Sequence, residues 1–176
     1  MTMRANVEAM RAVAYVTAAA MDNANRHPDP AARKRHQAFV DFMIPIVKGW
    51  CTETAQVVAS LGIQVHGGMG FIEETGAAQY YRDARITTIY EGTTGIQAND
   101  LIGRKTARDG GAVAKAIAAE IAEVAAALSG HADANLKDIG ARLTEAVAAA
   151  RKAVDWMVPA FGANTRVRVL EFAAAT

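Results

Sequence analysis

Apolar positions recur at steps of three and four along most of the chain, and that spacing predicts helices. Met3, Val7, Met10, Ala14, Ala18 and Met21 form one stripe, with Arg4, Glu8, Arg11, Tyr15 and Asp22 opposite, which predicts a helix over 3–24. Asn23 to Pro30 carries turn residues, and Pro28 and Pro30 stop any helix there. Arg33, Lys34 and Arg35 read as the solvated start of the next element. Phe39, Phe42, Met43, Ile46, Trp50, Thr54, Val57, Val58 and Leu61 mark the buried face of a second long helix. Pro45 lies inside it and predicts a kink or a division in two. Glu73, Glu74 and Thr75 read as the first turn of a helix continuing to about Ala84. Ile86 to Tyr90 is β-branched and predicts an extended connector, with helical periodicity resuming over Ile96–Ala107 and Ile96, Leu101 and Ile102 inward. Gly110-Gly111 is the expected subdomain boundary. Beyond it, Val113, Ile117, Ile121, Val124 and Leu128 form one stripe, and Leu136, Ile139, Leu143, Val147, Ala150, Val154 and Met157 a second. Asp133 or Asn135 is placed to cap the second, and the pair reads as an antiparallel helical hairpin. Pro159 to Thr176 gives no clear pattern beyond a short helix or a loose tail. No two strand-like segments are available to pair, so the expected fold class is all-α.

Composition narrows the function classes. The 176 residues are 52% hydrophobic, enough for a core, and carry a formal net charge of +1. That near balance, without a long basic run, gives nucleic-acid binding no electrostatic support. One cysteine, Cys51, excludes an internal disulfide and suits a reducing, cytoplasmic setting. It falls in a helical pattern without an identifiable basic partner, so it reads as a small buried apolar group. The longest apolar run, Ala12 to Met21, is too short to span a membrane, and Met1 to Arg11 lacks a signal-peptide layout.

Two stretches carry candidate chemistry. In Arg82-Asp83-Ala84-Arg85-Ile86-Thr87-Thr88-Ile89-Tyr90-Glu91-Gly92-Thr93-Thr94-Gly95-Ile96-Gln97, one glutamate stands between apolar and neutral neighbours in a break between helical patterns. A carboxylate in an apolar pocket loses hydration and becomes more basic, which suits a general base. Thr94 and Gln97 fit a capping box, which would place Glu91 just before a helix N-terminus. By themselves these residues also fit a surface loop with a solvated glutamate. Arg82 and Asp83 fit either an ion pair fixing the helix end or a plain surface role. Upstream, Gln64-Val65-His66-Gly67-Gly68-Met69-Gly70-Phe71 supplies glycines that let a ligand approach backbone closely. There is no Rossmann spacing and no P-loop lysine, so alone this stretch reads as a helix-ending loop with a structural His66.

Together, Gln64 to Gly70, then Arg82-Asp83-Ala84, then Ile89-Tyr90-Glu91-Gly92-Thr93 resemble, in order and spacing, the late segment of the acyl-CoA dehydrogenase family, flavoproteins that desaturate acyl-CoA thioesters. The resemblance is clearest from Phe39 to Arg108. It implies that Glu91 is the base that removes the thioester α-proton while FAD takes the β-hydride. It implies that Gln64, Val65, His66, Gly67 and Gly68 contact the adenosine-diphosphate part of an FAD held by a neighbouring subunit. Thr93 and Gly95 fall on flavin-contacting positions and Gly92 on a substrate-binding one. Many shorter family members carry glutamine where this chain has Gly95, so only a backbone contact is implied there. The implied partners are an acyl-CoA substrate, an electron-transfer flavoprotein as acceptor, and further copies in a homo-oligomer. Residues 1–109 match part of the family's C-terminal helical domain. Residues 110–176 resemble the start of an accessory helical domain found in long bacterial members, among them enzymes acting on 3-methylmercaptopropionyl-CoA. The family's amino-terminal helical and middle β-domains have no counterpart in these residues. The chain alone is therefore expected to bind FAD weakly, and a non-catalytic helical assembly module is the alternative reading.

Overall fold

Residues 1–163 are described in the computed structural model, and they are helical almost throughout, with no strand among them. The all-α expectation therefore holds. Two compact units divide between Leu101 and Ile102.

The first unit is built on α2 (Pro30–Val65), preceded by α1 (Thr2–Arg26). The two run antiparallel, so that Met3 at the start of α1 reaches Gly62 near the end of α2. Pro30 opens α2 rather than stopping a helix, because the first helical position needs no N–H. Asp29 caps it, accepting from Ala31 N at 2.9 Å and Ala32 N at 3.2 Å. The Ala31 bond above all holds the Asp29 carboxyl below its ordinary range. Its contribution is thus complete at neutral pH and is lost as pH falls through the lowered value. Of the basic cluster, Arg33 donates to the His27 carbonyl at 2.7 Å, while Lys34 and Arg35 are exposed. Pro45 is buried in α2, which runs through it as one helix and is not divided.

The stripe expected on α1 drifts. Ala18 and Met21 are exposed, and Thr17 and Ala20 turn inward instead. The Thr17 hydroxyl can be buried because it donates to the Val13 carbonyl at 2.8 Å. After α2 come the single turn α3 (Gly68–Phe71), a 3-10 turn at Glu73–Thr75, α4 (Ala77–Ile86) and α5 (Thr94–Asp100). Gly76, at φ 77°, separates the 3-10 turn from α4, so the helix expected from Glu73 onward is interrupted. The stretch expected as one helix over 96–107 becomes α5, then a π-helical segment over Leu101–Thr106, and Ile96 is exposed.

In the second unit, Asp109 caps α6 (Ala112–Ser129), accepting from Gly111 N at 2.8 Å and Val113 N at 3.1 Å. Asp133 starts α7 (Ala134–Ala163), accepting from Asn135 N at 2.8 Å. Residues 164–176 of the tail lie outside the described part, whereas Pro159 falls within α7. The helices meet as the expected hairpin, with Val147 of the expected α7 stripe buried, but on α6 the closest packing shifts from that stripe to alanines. Ala114, Ala118 and Ala125 are buried, while Ile121 and Val124 are exposed. Small residues let the backbones approach closely, and glycines mark the tightest points. A Cβ on Gly111 would sit 2.6 Å from Val154 Cγ1, and one on Gly140 would sit 2.5 Å from Ser129 N and 2.9 Å from Ala125 O.

Backbone atoms cannot give way as a flexible side chain can. Gly140→Ala should therefore destabilise the second unit by ~1–3 kcal/mol, despite alanine's better helix propensity. Urea unfolding monitored by circular dichroism should show a lower midpoint, and an unchanged or higher midpoint would refute the tight contact.

Candidate functional site

The loop between α4 and α5 carries Glu91. Residues 87–90 are not the extended connector that β-branching suggested. They continue α4 as turns, with Thr87 N bonded to Ala84 O and Tyr90 N to Ile86 O, both at 3.1 Å. The β-branched threonines are accommodated because their hydroxyls bond locally: Thr87 Oγ1 to Ala84 O at 2.6 Å and Thr88 Oγ1 to Arg85 O at 3.1 Å. The chain then reverses through two positive-φ residues, Glu91 at 52° and Gly92 at 92°. Glu91 is the only non-glycine residue with positive φ among the described residues. Thr93, not Thr94, caps α5, with its Oγ1 accepting from Ile96 N at 3.4 Å. Gln97 does reach back, but to the Glu91 carbonyl, at 3.3 Å.

Three further contacts hold this loop, and all three come from α2. Lys48 Nζ donates to Gly92 O at 2.5 Å and lies 6.0 Å from the centre of the Tyr90 ring. The Thr94 hydroxyl donates to Glu53 Oε1 at 2.5 Å. A Cβ on Gly92 would meet Gln97 Nε2 at 2.8 Å, so the loop also needs a small residue there. Lys48 and Glu53 carry no local sequence signal for this role; their partners lie 44 and 41 residues away.

Glu91 itself is exposed, so the apolar pocket expected around it is not built by these residues. Tyr90 is 50% exposed and Ile89 51%. Gly95 and Thr93 are also exposed beside it. Arg82 pairs with Glu73 at 3.3 Å, and Asp83 accepts from Gln79 at 2.6 Å, so the two neighbours do not pair with each other.

The upstream segment sits elsewhere. Gln64 and Val65 end α2, His66 is its C-cap, and Gly67 turns the chain at φ 60°. Gln64, Val65, His66, Gly67 and Gly68 are all exposed. His66 Nδ1 lies 2.8 Å from the Gly62 carbonyl, a local helix-end contact. No atom lies within 4 Å of where a Cβ would stand on Gly67 or Gly68, so their backbone is open to an approaching group. From Lys48, beside the Glu91 loop, to Gln64 the helix rises about 24 Å. The two candidate stretches are therefore well separated within one chain.

A family profile described as acyl-CoA dehydrogenase, C-terminal domain, matches residues 1–107. The chain is 52% identical over 160 residues to 3-methylmercaptopropionyl-CoA dehydrogenase of Ruegeria pomeroyi, covering 91% of this chain and 27% of that protein. It is 36% identical over 148 residues to the broad-specificity linear acyl-CoA dehydrogenase FadE5 of Mycobacterium tuberculosis, covering 84% and 24%. It is 30% identical over 95 residues to the caffeyl-CoA reductase-Etf complex subunit CarC of Acetobacterium woodii, covering 54% and 22%. The chain thus spans about a quarter of the length of these relatives.

The left-handed backbone at Glu91 generates a stability test. A non-glycine residue there costs ~1–2 kcal/mol, part of which glycine gives back through the unfolded chain. Glu91→Gly should therefore raise stability by ~0.5–1 kcal/mol. A lower thermal midpoint would show that the side chain stabilises the loop more than its backbone strains it.

Proposed function

This chain belongs to the acyl-CoA dehydrogenase family, and we propose that it is the base-bearing C-terminal part of an enzyme that desaturates acyl-CoA thioesters. In this reading residues 1–109 form the family's C-terminal helical domain, and 110–176 begin an accessory helical one. The observation that carries the reading is Glu91: an exposed carboxylate on the one non-glycine left-handed residue among those described, in a loop tied to α2 at Gly92 and at Thr94. Strained residues that the surrounding structure holds in place cluster at functional sites.

Glu91 removes the α-proton, which passes from the substrate carbon to a carboxylate oxygen. Its backbone N–H donates to the thioester oxygen and so stabilises the developing enolate, with Gly92 next to the substrate. Bound FAD supplies the acceptor for the β-hydride. Arrival of the acyl chain expels water from the carboxylate and raises its basicity towards working pH. The open backbone of Gly67 and Gly68 fits the close approach of a dinucleotide, so Gln64, Val65, His66, Gly67 and Gly68 hold the adenosine-diphosphate part. Thr93 and Gly95 face a flavin near the base. The separation along α2 suits two different flavins, the upstream one carried mainly by another subunit of a homo-oligomer. The electrons taken up by bound FAD would go to an electron-transfer flavoprotein, in keeping with the similarity to a subunit of an Etf complex. No described helix is long and apolar enough to cross a membrane.

Two outcomes are expected. In the flavin-loaded enzyme, Glu91→Gln keeps size and hydrogen-bonding shape but removes basicity, so flavin content should survive while flavin reduction by acyl-CoA falls at least ~100-fold. Stopped-flow reduction at near wild-type rate would identify another residue as the base. The chain alone, with a single exposed segment for the dinucleotide, should bind FAD weakly or not at all. Tight stoichiometric binding in titration calorimetry would contradict the division of the cofactor between subunits.

A further inference from the structure

We propose that Lys48 is a positioning residue for Glu91, an assignment that rests on the base reading above. Its ammonium brackets the glutamate: it donates to the carbonyl of Gly92, one residue after, and lies over the ring of Tyr90, one residue before. The Gly92 bond is part-buried, and its donor is an ammonium. Such charge-assisted bonds are stronger than neutral ones and are less screened away from bulk water.

The tie comes from a rigid place. Lys48 stands beside buried Pro45 and Gly49 on α2. Gly49 faces Gln97 of α5, whose Cβ lies 3.7 Å from where a Gly49 Cβ would be. The next turn of α2 supplies Glu53, which receives the Thr94 hydroxyl. One helix therefore grips the loop within the reversal, at Gly92, and just after it, at Thr94. The reversal itself consists of two positive-φ residues, and the free loop has less strained alternatives. Releasing the lysine leaves Glu91 attached but free to leave its geometry. Because proton abstraction needs the carboxylate within hydrogen-bond reach of the α-carbon, such a displacement slows the chemical step more than it weakens substrate binding.

Lys48→Met tests this in two ways. In the full 176-residue chain, NMR should show the Gly92 carbonyl carbon moving upfield and exchange of the Tyr90 and Gln97 amides speeding at least ~10-fold, with amides in the middle of α1 and α6 unchanged. In the flavin-loaded enzyme containing this chain, flavin reduction should fall ~10–100-fold while the dissociation constant of acyl-CoA stays within about twofold. Lys48→Arg, which keeps a charged donor, should recover part of both losses. Lys48→Gln replaces the Met variant if that does not fold. An unchanged Gly92 carbonyl, an acceleration spread evenly over all helices, or wild-type flavin reduction would each overturn the proposal. Glu91→Gln separates the two assignments. If it also reduces flavin normally, the base reading fails; if it is inactive while Lys48→Met is normal, only the positioning role fails.

Discussion

One helix carries the geometry of the first unit. α2 receives α1 along its length, α4 and α5 on its flanks, and the Glu91 loop at its middle. It can do so only because its residues alternate in what they permit. Val40 and Ala32 are buried in the unit's interior, Gly49 lets α5 come close, and Lys48 and Glu53 extend past that contact to the loop. A break at Pro45 would separate the part of α2 that packs near its start from the part that holds the loop. Proline removes one backbone hydrogen bond and crowds the preceding turn, so continuity there is provided by packing around a buried ring.

Large apolar side chains are exposed at both stretches: Ile86, Ile89, Tyr90 and Ile96 about the Glu91 loop, and Val65 (76%) and Phe71 (81%) at the separate upstream segment. The core, by contrast, is made of small side chains. Under the proposed function, these exposed apolar side chains are covered by other parts of the enzyme. The same exposure keeps Glu91 hydrated. Under the proposed function, the desolvation that strengthens the base comes from the acyl chain and from parts of the enzyme beyond these residues, in keeping with the quarter of the relatives' length that the chain spans.

Helix existence was legible in the spacing of apolar residues, because periodicity records which side of a helix avoids water. The faces were less so. On α6 the large residues Ile121 and Val124 point outward and alanines make the interface, since backbone proximity rewards small side chains over apolar bulk. β-branching at Thr87 and Thr88 favours an extended backbone, yet their hydroxyls satisfy the carbonyls of a helix end. The capping residue was displaced by one, from Thr94 to Thr93, which frees the Thr94 hydroxyl for Glu53. Glu91 could be singled out by its neighbours, but the ties from Lys48 and Glu53 could not, because they join residues 44 and 41 positions apart. Local patterns say what a segment prefers and are silent on which distant group will hold it.

That distinction bears on why a glutamate stands at position 91 at all. Glycine would adopt the same backbone without the steric cost of a Cβ in the left-handed region, ~1–2 kcal/mol. A hydrogen bond from a charged group is worth ~1.5–3 kcal/mol, so the Lys48 tie is large enough to offset that cost. The carboxylate makes no compensating buried contact, being exposed to solvent. Stability alone therefore favours a different residue, and under the proposed role the charge-assisted hydrogen bond from Lys48 to the Gly92 carbonyl keeps the strained acid in place. Under the proposed function, that strained position is the one from which the carboxylate meets the substrate, which is why a glutamate and not a glycine stands there.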